Sequence, residues 1–515
     1  MKKIWMASFA TVISFAALQA QVANGICGNT VEDQKLMQPY LIENLRTAAH
    51  QTGASTETIN YVPMHFHLVG DASGNGKQPE RKILDQLCDM NDAYASMNIQ
   101  FYLKKHNTYG LFDYSINDLG VYSDQTNTSL MNNRRNTSAI NVYVVNTPSN
   151  NNNQPGTILA YYNPQYDWIV CRKSQAQGGK NGTLPHETGH FFSLMHTFYG
   201  YESNPFDPTD AGWPVAPVTS PGGIPTEYQD ESNCSTAADM ICDTPPDYNF
   251  GYTQGDCATY TQGAKDPSGV PVVPMEKNFM SYFIGCMPYV FTTEQQAAIH
   301  ADYASIHRNY VHGAYTPVST TITTPANMLT YPDSNTYASY YDQVNFVWQP
   351  VTDATYYLLE IDISSGFNSP LLLNFITNTN SKLVTTLKTN KTYYWRVRPF
   401  NEYVTCAANS ETFTVKTSNV SAVNNIQDVN AWQVSPNPVT AGATVRMTVR
   451  ANNSIAATVR ILNAEGRLMF DQQDVRIPTG ESFVDLPTNE LENGIYFVVL
   501  ENQNGREVRK LSVLR

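Results

Sequence analysis

Leu184-Pro185-His186-Glu187-Thr188-Gly189-His190-Phe191-Phe192-Ser193-Leu194-Met195-His196-Thr197-Phe198-Tyr199-Gly200 is the stretch whose reading decides the fold of this 515-residue chain. On a helix, residues four apart share a face about one turn apart, so the imidazoles of His186 and His190 can hold one metal ion. His196 lies roughly 240° beyond His190 if the helix simply continued. It reaches the same ion only if the helix stops and the chain turns back. Three protein ligands with a fourth position open separate a catalytic zinc site from a closed structural one. Glu187 then stands where a base would activate water. An ordinary amphipathic helix can also spell His-Glu-x-x-His; the third histidine argues for zinc.

Around this stretch, the length predicts about two to four domains. The formal charge of −13 argues against nucleic acid as a partner. Lys2 and Lys3 precede an apolar run from Ile4 to Leu18 that closes with Gln19 and Ala20. That is the pattern of a signal peptide over residues 1–20, which predicts export through the periplasm to the medium or the cell surface. No later stretch is long and apolar enough to predict a transmembrane segment in the mature protein. The cysteines are Cys27, Cys88, Cys171, Cys234, Cys242, Cys257, Cys286 and Cys406. In an exported protein they suit disulfides, with a connectivity that spacing does not give.

Residues 21–55 read as a pro-segment, with Cys27 ahead of a polar helix around Glu32–His50. A thiolate over the open metal position would keep a zinc enzyme latent; half of a disulfide is the equal alternative for Cys27. Tyr61–Val69 reads as a buried strand, with His65 and His67 as strand residues rather than ligands. Pro79–Met97 reads as a helix with Ile83, Leu84, Leu87 and Met90 on one side. Ile99–Leu103 and Ile140–Val145 read as further strands, and Thr157–Tyr161 and Trp168–Cys171 as short extended pieces. This order predicts an α/β half-domain that ends in the metal helix. Residues 202–232, rich in Pro, Gly, Asp and Ser, predict a long loop suited to a functional rim. Asp239-Met240-Ile241-Cys242-Asp243-Thr244-Pro245-Pro246 clusters carboxylates at a turn, which is either a calcium site or a solvated acidic turn.

The histidine stretch, followed downstream by Asn278-Phe279-Met280-Ser281-Tyr282, resembles the metzincin clan of zinc proteases. Leu184–Phe198, Cys242–Pro246, and Asn278–Tyr282 ahead of Cys286 are similar to the pappalysin family, over roughly residues 25–312. The resemblance implies an α/β metzincin-like catalytic domain over residues 56–315, and a zinc-dependent endopeptidase acting on proteins or peptides. It implies His186, His190 and His196 as zinc ligands and Glu187 as general base. Tyr282 would stand beside the metal, as a swinging ligand or an oxyanion stabiliser, and Met280 would form a methionine turn beneath the imidazoles. Cys27 would be the cysteine switch of a zymogen, Asp243 and Thr244 would lie where calcium is held, and Cys257 would pair with Cys286. Two positions depart from the family. Ser193 replaces a glycine expected at positive φ, at a cost on the order of 1 kcal/mol that a bound metal offsets. Phe283-Ile284-Gly285 stands where relatives often carry acids, which points away from Arg or Lys after the scissile bond and towards apolar or broader specificity.

Thr320–Asn327 reads as a linker. Residues 325–418 alternate as strands, with Trp348 and Tyr393 at sandwich positions, and resemble a fibronectin type III domain. Residues 432–515 carry Ser435-Pro436-Asn437-Pro438 early and Arg509-Lys510-Leu511 late, and resemble the C-terminal sorting domain of the type IX secretion system. That makes the secretion machinery a partner; another adhesive sandwich is the alternative. The expected chain is multidomain, an α/β metzincin-like catalytic domain followed by two all-β sandwich domains. The rival function is a surface adhesin with a catalytically inactive zinc domain. Glu187 speaks against it, because a structural zinc site needs no base.

Overall fold

The computed structural model describes residues 25–50, 58–123, 127–148, 157–179, 182–209, 214–254, 256–313, 321–420, 426, 428–502 and 505–514. The expected signal peptide and the end of the expected pro-segment lie outside the described residues. The chain divides into two compact units: Met1–Val318 with Glu402–Cys406, and Ser319–Asn401 with Ala407–Arg515.

The first unit is built on one mixed sheet of β1 (Gly25–Cys27), β2 (Asn60–Leu68), β3 (Ile99–Leu103), β4 (Phe112–Asp113), β5 (Ile140–Val145), β6 (Thr157–Asn163) and β7 (Trp168–Arg172). The order is β1-β6-β7-β5-β2-β3, with β4 also on β2. Only β6 and β7 pair antiparallel. Parallel strands need covered faces, and Val62, Met64, Phe66, Ile140, Val142 and Val144 of β2 and β5 are wholly buried. His65 and His67 form a separate buried cluster: His67 Nδ1 lies 2.8 Å from Asp113 Oδ2 and His65 Nδ1 lies 2.8 Å from the Lys104 carbonyl.

The helices of this unit are α1 (Val31–His50), α2 (Glu80–Tyr94), α3 (Leu119–Ser123), α4 (Thr128–Arg134), α5 (Thr183–Phe191), α6 (Phe250–Gln254) and α7 (Thr293–Ala304). The apolar stripe Ile83, Leu84, Leu87 and Met90 buries α2, and Tyr94 Oη donates to the Pro185 carbonyl at 3.0 Å, anchoring the first turn of α5. Thr292 and Gln295 close a capping box at the start of α7. Met37 and Leu41 of α1 are buried, and Asn44 Nδ2 donates to Asp302 Oδ2 of α7 at 2.8 Å. The helix read as pro-segment is therefore built into this unit.

Between α5 and α7, regular structure among the described residues is limited to α6 and one 3₁₀ turn. Order comes instead from an apolar cluster that includes Phe198, Tyr201, Tyr248, Phe250 and Phe283. Disulfides Cys234–Cys242 and Cys257–Cys286 brace this region, and Cys88–Cys406 also lies in the first unit. Cys27 and Cys171 are free.

The second unit is all β. Its first part comprises β8 (Leu329–Tyr331), β9 (Thr336–Ala338), β10 (Val344–Trp348), β11 (Tyr356–Asp362), β12 (Leu373–Thr377), β13 (Ser381–Val384), β14 (Thr392–Phe400) and β15 (Phe413–Thr417). They form sheets β13-β10-β8 and β12-β11-β14-β15-β9 over a core containing Trp348 and Trp395. Lys388 N donates to Tyr393 Oη at 2.9 Å, a tyrosine corner. The second part comprises β16 (Val429–Ser435), β17 (Val439–Thr440), β18 (Val445–Ala451), β19 (Ile455–Asn463), β20 (Leu468–Ile477), β21 (Gly480–Leu486), β22 (Gly494–Asn502) and β23 (Gly505–Leu514). Its sheets are β16-β18-β21 and β17-β23-β22-β19-β20. Sequence alternation does not pick out β21, because Phe483 faces outward, 58% exposed, among its polar residues.

Candidate metal centre

The end of α5 decides whether His196 can return. Ser193 N donates to the His190 carbonyl at 2.9 Å and Leu194 N to the Gly189 carbonyl at 3.0 Å, the two bonds of a Schellman cap. Ser193 sits at φ 69°, the left-handed conformation that glycine adopts more readily. Its buried Oγ donates to Asp302 Oδ2, whose carboxylate is also held by Asn44 and Arg308. The serine thus gains a partner that glycine would lack. Beyond the cap the chain folds back, and the His196 ring lies 4.7 Å from that of His190 and 5.2 Å from that of His186.

Each imidazole turns Nδ1 outward. His186 Nδ1 faces the Phe279 carbonyl at 2.6 Å, His190 Nδ1 the Leu194 carbonyl at 2.7 Å, and His196 Nδ1 faces Glu202 Oε1 at 3.2 Å. The Nε2 atoms turn inward: those of His190 and His196 are 3.1 Å apart, and that of His186 is buried with no hydrogen-bond partner. An orphaned buried nitrogen beside two facing nitrogens fits a cation that takes their lone pairs. Burial lowers the basicity of His186 to about 4, and burial together with the neighbouring rings holds His190 and His196 well below the ordinary value. Neutral imidazole is the ligating form. With Cys27 Sγ, the donor atoms of the three histidines lie within 4.8 Å of one another. Nitrogen and sulfur donors in this number suit zinc.

Glu187 is wholly buried, and burial pushes its carboxyl up to about 8. Its Oε1 has no partner and its Oε2 lies 3.4 Å from Cys27 Sγ. Parallel pairing of β1 with the edge of β6 sets Cys27 opposite Ala160. Asn29 fixes this register by bonding both the carbonyl and the N–H of Tyr162. Burial first, then the Glu187 charge, raises the Cys27 thiol far above its ordinary range. Tyr282 Oη donates to the Cys27 carbonyl at 2.9 Å, and its ring lies 5.1 Å from that of His196. Met280 is buried, and a Cβ on Gly189 would come within 2.5 Å of its sulfur. The bare glycine lets Met280 lie against α5 between the two helical histidines.

A cavity of about 380 Å³ adjoins His186 and Glu187, lined among others by Phe279, Phe283, Ile284, Met287 and Tyr289. Glu187 is the one carboxylate among its described lining residues.

The acidic turn packs against the start of α7. Asp243 Oδ2 accepts from Glu294 N at 2.8 Å, so this carboxylate caps the start of α7. Thr244 Oγ1 instead lies 3.1 Å from Asp239 Oδ1. Asp239 and Glu227 are the buried acids, and neither Glu227 oxygen has a partner. Burial, and for Glu227 the nearby Asp239 charge, raises both carboxyls far above the usual range. Glu227 and Glu202 carry no local signal in the sequence; each becomes notable only once the loop that bears it is packed.

Fold and site together define a multidomain chain, an α/β unit gathering a histidine-rich metal-type centre and an all-β unit. Residues 433–514 match the family described as secretion system C-terminal sorting domain, so the chain carries a sorting domain and is a secreted or cell-surface protein. The chain is similar to the extracellular metalloprotease of Colletotrichum graminicola, with 25% identity over 328 residues that cover 58% of this chain and 97% of the relative. Among solved structures it is similar to a promirolysin mutant of Tannerella forsythia, at 16% identity and a TM-score of 0.35, covering 56% of this chain and 96% of that one. It is also similar to a Fn3-like protein from Clostridium thermocellum, at 19% identity and a TM-score of 0.15, covering 19% of this chain and 94% of that one. Among the described residues no helix is long and apolar enough to cross a membrane.

Proposed function

We propose that this chain is a secreted zinc-dependent endopeptidase of the pappalysin-like metzincin kind, hydrolysing peptide bonds of proteins. The carrying observation is the inward convergence of three buried imidazole Nε2 atoms beside the buried Glu187 carboxylate. In this reading residues 56–315 are the catalytic domain, residues 21–55 the pro-segment and residues 325–418 a fibronectin type III-like domain.

His186, His190 and His196 would hold zinc through Nε2. Bound zinc supplies Lewis acidity, lowering the pKa of water to about 7 and polarising a carbonyl. Glu187 takes a proton from the attacking water and passes it to the leaving amine. The Tyr282 hydroxyl, once free of the Cys27 carbonyl, would donate to the developing oxyanion. Cys27 Sγ completes a four-donor set and closes the position that substrate needs, so the N-terminal strand keeps the enzyme latent. Met280 packs as the apolar floor of the site. The cavity beside Glu187 suits an apolar side chain next to the scissile bond. A calcium ion would sit at Asp243 and Thr244, with the buried Asp239 beside Thr244 and Glu227 near Asp239 as further oxygen donors.

Glu187→Gln tests the reading. The N-terminally processed variant is expected to lose peptidase activity by roughly 10²- to 10⁴-fold while binding zinc in the same ratio as the parent. Substantial proteolysis by this variant, or no chelator-sensitive proteolysis by the processed parent, removes the proposal; the second result favours the inactive adhesin.

A further inference from the structure

The three imidazoles are not held alike. His186 and His190 present Nδ1 to backbone carbonyls, whereas His196 depends on side chains. Gln34 of α1 lies on one side of it: its Oε1 accepts from His196 N at 2.8 Å, which fixes the amide so that Nε2 faces both His196 Nδ1 at 3.0 Å and Glu202 Oε1 at 2.6 Å. An amide NH₂ only donates, so it cannot accept a proton from Nδ1. Glu202 Oε1 can.

Glu202 is otherwise hard to account for. It is 2% exposed, and among the described residues no lysine or arginine pairs with it. Its Oε2 accepts from Gly200 N at 2.8 Å, which aims Oε1 at the ring. A buried carboxylate on Nδ1–H selects the tautomer whose Nε2 lone pair faces inward and makes that nitrogen a better ligand.

We propose that Glu202 is the positioning residue of His196, selecting its ligating tautomer, and that Gln34 braces the same carboxylate from α1. The inference rests on the zinc reading above. Gln34 reaches His196 from the expected pro-segment, so the docked N-terminal helix supports the third ligand.

The test is zinc affinity of the full-length chain, measured by competition with a chromophoric chelator, alongside the melting temperature of the metal-free form. The isosteric Glu202→Gln variant is expected to bind zinc roughly 10- to 100-fold more weakly, with partial recovery in Glu202→Asp. An unchanged zinc affinity in Glu202→Gln overturns the positioning role, even if its metal-free form melts lower, because that marks a purely structural carboxylate. If the parent chain binds no zinc at all, the zinc reading itself fails, a result distinct from equal affinity in parent and variant.

Discussion

Ser193 shows how one residue can reconcile a strained backbone with a binding site. Its φ of 69° is the conformation that a side chain resists, at about 1 kcal/mol, yet its Oγ is bonded to the buried Asp302 carboxylate. A hydrogen bond to a charged group contributes about 2 kcal/mol, so the two effects have opposite sign and similar size. Separate substitutions resolve them. Ser193→Ala loses the bond and keeps the strain, and is expected to destabilise the α/β unit by about 2 kcal/mol. Ser193→Gly loses the same bond but relaxes the backbone, and should recover about 1 kcal/mol of that. Calorimetry of the full chain, in the transition that shifts with added zinc, gives the order. Alanine matching or exceeding glycine would mean that strain at residue 193 is not a measurable term.

At the scale of elements, a three-residue strand has the largest proposed consequence. β1 spans only Gly25–Cys27, and its pairing with β6 together with the Asn29 clamp holds Cys27 over the histidines. So short a strand adds little cohesion of its own, whereas α1 is anchored by Met37, Leu41 and Asn44. Latency should therefore depend on the thiol more than on the strand. Cys27→Ala in the uncut chain is expected to raise chelator-sensitive cleavage of a quenched fluorescent peptide at least roughly tenfold, since it leaves three ligands and an open position. A variant as silent as the parent would shift the lock to the docked helix. The same contrast marks what the sequence disclosed. Helical spacing singled out His186 and His190, whereas Met280 and Tyr282 stood out only through the resemblance of Asn278–Tyr282 to a known family. Gln34 was not legible, because its contacts with His196 and Glu202 span 162 and 168 residues and exist only after α1 has packed. The buried Glu227 was not legible either, because it meets the acidic turn at Asp239 only after the loop that bears it has packed.

Across the whole molecule, chemistry and export fall on parts with separate interiors. The core around Val445, Met447, Val459, Ile461, Val498 and Leu511 draws all its buried members from residue 426 onward, none from the α/β unit. Removing it should leave folding and metal binding of that unit intact. The sorting domain at 433–514 is then expected to be needed for transport and not for the chemistry. In the producing bacterium, a chain ending before residue 432 is expected to accumulate in the periplasm while the full chain reaches the medium or cell surface. Fractionation and immunoblotting read the location. The purified truncated chain should bind zinc with the parent's stoichiometry, which separates lost export from lost folding. Equal amounts of truncated and full chain outside the cell would show that export is directed by another part of the molecule. Truncated chain that is retained and also fails to bind zinc would show that folding of the α/β unit needs the sorting domain.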